Sequence, residues 1–336
     1  MRVLLATAMY PTPDRPACGT FVRTQAEALK RAGVDLELLI LNGRFQKLAY
    51  PKAVIQLRQR LSRASIDLVH AHYALVGIVA RAQWQVPLVV TYHGDDLLGT
   101  INAQGRHTRL SRILAATGRL LAQLADAVIV QTKHMASRLT RANVYVIPHE
   151  VDLETFHPVD RSHAREILGL DPEKKYLLFA ANPRISVKRF PLAKAAAEYI
   201  STRDPSVELL VVCKETQDRL ALYMSACDAL VFPSFQEGSP NIVKQAMACN
   251  LPIVATDVGD VREIIGQTKG CYICKPDLIE FADCLWEILC QPIRTQGREH
   301  IRHLDGPSVA SRVIEVYSET LVRWQSYRHG CKSIRI

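Results

Sequence analysis

The sequence lacks several features that would have assigned it at once. No apolar run approaches the roughly 18 residues of a membrane-spanning helix. No G-x-G-x-x-G follows the first apolar stretch, Arg2–Thr7, which argues against a nicotinamide or flavin dehydrogenase. Cys271 and Cys274 form a C-x2-C with no second pair, and Gly270–Lys275 around them has the pattern of a strand, so no metal is expected there. Internal repeats and low-complexity segments are also absent. Nine cysteines, an odd number scattered through apolar segments, indicate free thiols in a reducing, cytoplasmic setting. The opening Met1–Tyr10 meets Pro11 and Pro13 without a cleavage site, and so predicts a first strand rather than a signal peptide.

Acidic residues are scarce in one half only. Residues 1–150 carry 19 Lys and Arg against 9 Asp and Glu, whereas residues 151–336 carry 23 against 24. The basic excess of this +9 chain therefore belongs to the first half, where it suits an anionic acceptor or membrane surface. No nucleic-acid partner is expected. At 336 residues, 48% of them hydrophobic, the chain is long enough for two cores on the prior of about 150 residues per domain.

What is present is an alternation of strand and helix. In the first half the patterns predict strands at Arg2–Thr7, Asp35–Ile40, Ile66–Ala71, Pro87–Tyr92, Ala127–Gln131 and Asn143–Ile147. Helices are predicted between them at Phe21–Arg31, Ala53–Arg63, Leu75–Trp84, His107–Leu124 and Lys133–Thr140. The second half continues in kind, with strands at Tyr176–Ala181, Val207–Cys213 and Ala229–Phe232, and a long terminal helix at Ser308–Tyr327. This is the pattern of α/β, doubly wound parallel sheets. Ile147–Pro158 is the expected crossing, giving domains at 1–152 and 153–307 and a terminal segment at 308–336.

One stretch concentrates the chemistry. Ala229–Phe232 is a short strand closed by Pro233. Glu237, Gly238, Ser239 and Pro240 make a polar turn, and Ile242, Val243, Ala246 and Met247 then recur at helical spacing. Pro240 suits the first helical position, where its missing N–H costs nothing. A second strand follows at Pro252–Thr256. This is a βαβ unit with a carboxylate at the carboxyl end of its first strand, where open α/β sheets bind ligands. Two other loops sit at strand ends: His93 and Gly94 after Pro87–Tyr92, and Arg184, Lys188 and Arg189 after Tyr176–Ala181. Cations ahead of a helix start oppose the helix dipole, a conflict that a bound polyanion such as a diphosphate relieves. Gly19 precedes the helix at Phe21, where bare N–H groups suit a phosphate or sugar.

These motifs resemble the retaining glycosyltransferases of family 4. Glu237-Gly-Ser-Pro-Asn-Ile-Val-Lys-Gln-Ala-Met-Ala-Cys followed by Pro252-Ile-Val-Ala-Thr is similar to the family signature. Thr91-Tyr-His-Gly is similar to its Thr-x-His-Gly, and Arg184 with Lys188 to its cation pair. Two positions depart: Gln245 stands where the family has a second glutamate, and His149-Glu150 where it has Asn-Gly. The resemblance implies a GT-B fold, two Rossmann-like domains facing a cleft, with the terminal helix crossing back onto the first. It implies transfer of a sugar from a nucleotide-diphosphate donor to an acceptor hydroxyl, lipid-linked or on a glycan, with retention and with neither metal nor cofactor. It assigns His93, Arg184, Lys188 and Glu237 to catalysis, and Gly19, Gly238, Ser239, Pro240, Asn241, Ile242 and Gln245 to the donor. An inactive nucleotide-sugar-binding protein on this fold, or a nucleotide-sugar epimerase on the related one, would use the same framework. Leu57 and Leu61 alternating with Arg58, Arg60 and Arg63 suggest a peripheral membrane contact within the basic segment Arg44–Arg63, and Arg106–Arg112 with Arg119 form a second such segment.

Overall fold

The computed structural model describes residues 1–16, 18–41, 49–102, 104–141 and 143–332. The first domain is built on six strands, β1 Arg2–Thr7, β2 Asp35–Ile40, β3 Leu68–His72, β4 Leu88–Thr91, β5 Ala127–Val130 and β6 Val144–Val146. The second has five, β7 Lys175–Phe179, β8 Val207–Val211, β9 Ala229–Phe232, β10 Ile253–Thr256 and β11 Cys271–Cys274. Every pairing is parallel, so each strand needs a crossover to reach its neighbour, and helices cover both faces of each sheet. Burial on two faces is why strands such as Leu88–Thr91 and Ala229–Phe232 are uninterrupted apolar runs with every residue buried.

Strand order places the functional loops. The sheets run β2-β1-β3-β4-β5-β6 and β11-β10-β9-β7-β8. In the first, the chain leaves β1 toward one edge and β3 toward the other. In the second, it leaves β7 and β9 in opposite directions. Each reversal opens a crevice at the carboxyl ends of the strands, where open α/β sheets receive ligands.

Each sheet separates two cores. On one side of the first sheet, Leu4, Val69 and Val90 meet Leu57, Val76 and Leu121 from the helices over it. On the other, Val3, Leu5 and Val89 pack against Val22 and Leu29 of the helix Thr20–Arg31 and against Val309, Val313 and Tyr317. The last three belong to the helix Gly306–Lys332, which thus returns from the second domain to the first. The Tyr317 hydroxyl lies 2.6 Å from His70 Nδ1, tying that helix to β3. Among the described residues no helix is long and apolar enough to cross a membrane.

Several expectations need adjustment. Pro240 is not the first helical residue: it caps the helix Asn241–Ala248 from an extended conformation, because the turn is one residue longer than the pattern suggests. The helix expected at Ala53–Arg63 begins at Ala49, and its Leu57 is fully buried while Leu61 packs on the same core. That apolar face therefore docks on its own sheet and is not available to lipid. The Arg44 end of the basic segment lies outside the described residues.

Candidate active site

The second domain supplies a charged pair at its crevice. After β7 the chain makes a short 3-10 turn at Ser186–Lys188, and Arg189, at φ 51°, leads into the helix Phe190–Ser201. After β9 it runs through Pro233–Pro240 into the helix Asn241–Ala248. The two loops are joined through the main chain, Phe235 N–H donating to the Val187 carbonyl at 2.9 Å. Across the crevice Lys188 Nζ donates to Glu237 Oε1 at 2.6 Å, with the side chains only 25% and 15% exposed. A cavity of about 330 Å³ opens there, lined by Asn182, Lys188, Glu237, Ser239, Asn241 and Ile242 among others. No side chain caps the helix Asn241–Ala248, so its first N–H groups are open to an anion.

The first domain supplies a row of imidazoles. His70 and His72, two residues apart on β3, share a face of the sheet. His93 follows β4, where the Asp96 carboxylate gathers the backbone N–H groups of His93, Gly94 and Ala74 at 3.0, 3.2 and 3.2 Å. His72 Nδ1 lies 3.1 Å from His93 Nε2, and His93 Nδ1 lies 2.8 Å from His149 Nε2. The ring planes of His93 and His149 are within 7° of parallel. Burial holds all four histidines neutral: His72 is lowered to about 3, and His70, His93 and His149 well below the usual imidazole range.

A neutral imidazole has one N–H, so both hydrogen bonds of His93 must run in the same direction along the row. His72 Nε2 is buried without a partner. A bare acceptor there costs less than an orphaned N–H, so His72 donates to His93 and His93 donates to His149. Both His93 nitrogens are thereby engaged. The histidine expected to reach the sugar borders the cleft, yet it is held within this row.

The two halves touch backbone to backbone. A Cβ on Gly238 would fall 2.8 Å from the His93 carbonyl oxygen and 3.1 Å from Gly94 Cα, so both positions require glycine. Gln236 Nε2 donates to the Gly99 carbonyl at 2.6 Å, and Lys244 Nζ to the His149 carbonyl at 3.0 Å. Between the domains lies a cavity of about 830 Å³ that brings His93, His149, Lys188, Ser239 and Asn241 together with an apolar wall of Met9, Tyr50, Tyr73, Leu75, Ile78 and Leu114. Gly19, at φ 69°, lets the first loop fold tightly: a Cβ would lie 2.5 Å from the Met9 carbonyl. Phe21, two residues on, packs on His93 and His149.

Other expected residues sit less simply. Ser239 donates to Asp260 Oδ2 at 2.6 Å, which spends its hydroxyl inside the second domain. Gln245 Nε2 donates to Gln217 Oε1 at 3.0 Å beside a gap of about 20 Å³ shared with Asn241 and Glu150. Arg184 is exposed and lines neither the 330 nor the 830 Å³ cavity, and its N–H donates to Asn182 Oδ1 at 3.0 Å. Arg189 packs its guanidinium over Phe235 at 4.2 Å and donates to the Pro276 carbonyl.

Sequence reasoning passed over Lys244 and Asp260 and noted Glu150 only as a departure from the family pattern; all three are buried ionisable groups behind the cleft. Burial lowers Lys244 to about 8, against the pull of Asp260 and Glu150, and raises Glu150 to about 7. A lysine within the apolar pattern of Ile242, Val243, Ala246 and Met247 was the available signal. Among the described residues no group of three His, Cys, Asp or Glu side chains is arranged to hold a metal ion.

Two parallel-sheet domains with a charged pair at a switch point, facing a second set of loops across a cleft, are the architecture of the GT-B fold. Comparison with known proteins places the chain further. Residues 18–155 match the model "Glycosyltransferase Family 4", and residues 175–291 match "Glycosyl transferases group 1". The chain belongs to the family 4, group 1 glycosyltransferases. It is 27% identical to a D-inositol 3-phosphate glycosyltransferase of Catenulispora acidiphila over 85% of this chain and 79% of that protein. Among solved structures, the sucrose-phosphate synthase of Thermosynechococcus elongatus superposes with a TM-score of 0.79 at 19% identity, covering 96% of this chain and all of that one. HepE of Anabaena, determined with UDP and glucose, gives 0.67 at 15% identity over 96% of this chain and 99% of its own.

Proposed function

We propose that this glycosyltransferase moves a sugar from a nucleotide-diphosphate donor to an acceptor hydroxyl with retention of configuration. The observation that carries the reading is the Lys188–Glu237 pair, held at 2.6 Å across the second crevice beside an uncapped helix start. Lys188 and the first N–H groups of the helix, at Asn241 and Ile242, meet the charge that grows on the departing diphosphate. Glu237 accepts hydrogen bonds from the sugar hydroxyls. Arg184 joins them only if its loop turns inward when the donor binds. With these groups answering the diphosphate, the reaction needs no resident metal or cofactor. What supports retention is the resemblance to the retaining family, together with the prior engagement of two cleft carboxylates; Asp95 also borders the cavity. Asp96 is committed to three main-chain N–H groups and Glu237 to Lys188. The acceptor proton then leaves with the phosphate on the same face.

The apolar wall of the 830 Å³ cavity favours an acceptor with a lipid portion over a wholly hydrophilic one. The helix Arg109–Leu124 continues that wall outward. Leu110, Ile113 and Leu120 are 66%, 62% and 64% exposed, with Leu124 beyond them on the same stripe. The helix carries Arg109, Arg112 and Arg119 and no acidic residue. In our reading it is this helix that meets an anionic membrane surface.

A thermal-shift screen against nucleotide sugars tests the donor. One of them should raise the melting temperature, and Lys188→Ala should abolish both the shift and slow monosaccharide release. Binding without release or transfer would leave a non-catalytic binding protein, and sugar conversion without release would leave an epimerase. Sedimentation with vesicles tests the surface: binding should need anionic lipid and fall when Ile113 and Leu120 become serine.

A further inference from the structure

A second interdomain cavity, of about 590 Å³, belongs neither to the donor pocket nor to the apolar cleft. Leu97 and Leu98 border it, while their neighbours Asp95, Asp96 and Thr100 border the apolar cleft. One wall is basic. Arg112 and Arg119, seven residues apart on the helix Arg109–Leu124, share an edge of that helix, and Arg138 joins them from the segment after β5. The opposite wall carries Glu237 and Asp257.

The charges do not cancel across it. Glu237 is already paired with Lys188 and Asp257 with Arg262, each at 2.6 Å, and neither cation lines this cavity. Among the described residues, none of the three guanidiniums has an ion pair or a side-chain hydrogen bond. Three exposed arginines from two segments thus border, unanswered, one open cavity. Like charges so placed repel, and the field they set up concentrates anions. All three are arginine, whose planar fork matches phosphate oxygens two at a time.

We infer that this cavity receives a phosphate group of the acceptor, with Arg112, Arg119 and Arg138 as its ligands. The inference rests on the donor reading only in one respect. Glu237 borders both this cavity and the donor pocket, so a phosphate held here keeps the rest of the acceptor close to the transferred sugar. Such a phosphate belongs either to a soluble phosphorylated polyol or to a lipid headgroup.

Inorganic pyrophosphate titrated calorimetrically into the intact protein tests it. The Lys188→Ala protein, weakened at the donor site, should still bind pyrophosphate. Arg112→Ala with Arg119→Ala should weaken that binding about 100-fold, and Arg138→Ala alone about 10-fold. The binding should also weaken as salt is raised. Because the three side chains are exposed at the cavity, these variants should melt within a degree or two of the parent, and Arg119→Gln offers a milder control. Equal affinity in the double variant would overturn the inference, as would loss of all binding in Lys188→Ala. Displacement of pyrophosphate by a soluble sugar phosphate, or instead by vesicles carrying a phosphomonoester headgroup, identifies the source. If the arginine variants lose vesicle binding but keep pyrophosphate, the arginines serve the membrane surface and the cavity assignment falls. Failure of the donor reading is separate: it would show as nucleotide-sugar hydrolysis unaffected by Lys188→Ala and Glu237→Ala.

Discussion

The two crevices facing each other across this cleft do opposite electrostatic work. The second domain presents a formed ion pair, Lys188 with Glu237, beside a helix start. The first presents imidazoles that burial keeps neutral and that bond to one another. On the reading proposed, a departing diphosphate would need charge and dipoles fixed in advance, which the second crevice has. An acceptor hydroxyl needs a dry, shaped wall, and the first crevice has that. On that reading the chemistry is divided between domains by charge, and the contact of Gly94 with Gly238 holds the halves together.

Removing charge from the second crevice should have the largest effect. Lys188→Ala should lower transfer about 100-fold or more, the usual cost of a preorganised donor at developing negative charge. Glu237→Gln keeps the hydrogen-bond acceptor but breaks the ion pair, and should cost less than Glu237→Ala in steady-state kinetics. Should His93→Ala prove far more damaging than Lys188→Ala, the division proposed between the crevices would be inverted.

The neutrality of the first crevice makes a pH prediction. Burial holds His72 near 3 against 6.5 in the unfolded chain, so the unfolded state binds more protons as pH falls below 6.5. Stability present above 6.5 is lost below it, about 2 kcal/mol from His72 alone at pH 5. His70, His93 and His149 act in the same direction. Asp96 and Glu150, raised to about 6 and about 7, act oppositely: what they contribute is present at low pH and lost as pH rises through those values. His149→Asn removes one imidazole and leaves the carboxyls. Denaturant melts at pH 7 and pH 5 should show the variant losing less stability than the parent over that interval. Parallel losses would mean that His149 is not held neutral.

Much of this arrangement was legible in the residues. Parallel strands buried on both faces are unbroken apolar runs, and polar residues just past them, such as His93, Lys188 and Glu237, mark the loops that line the crevices. The imidazole row was not legible, because His72, His93 and His149 lie 21 and 56 residues apart and meet only after three loops converge. Nor could periodicity choose the exposed helix. Leu57 and Leu61 form as good an apolar stripe as Leu110, Ile113 and Leu120, and only packing shows that the first stripe is covered. The exposure of Arg184 was not legible either, because it is set by a turn that Asn182 closes through both its side chain and its carbonyl.

The smallest expected effect concerns Gln245, where the family pattern has glutamate. Gln245→Glu would gain a charge-assisted hydrogen bond to a donor hydroxyl, worth about 1 kcal/mol over the neutral one. It would break the bond from Gln245 Nε2 to Gln217 Oε1 and require the Gln217 amide to flip so that its Nε2 donates instead. It would also set a second carboxylate on the narrow gap that Glu150 borders, where one Glu150 oxygen is already buried without a partner. Gain and loss nearly cancel, so donor affinity in Gln245→Glu should stay within about 3-fold of the parent. With Glu150→Gln added, the repulsion is removed and affinity should rise by up to about 5-fold. Calorimetric titration of the four proteins in a double-mutant cycle measures that coupling. A gain of about 5-fold in Gln245→Glu alone would show that Glu150 does not reach this position, and that positions 245 and 150 are independent features of the chain.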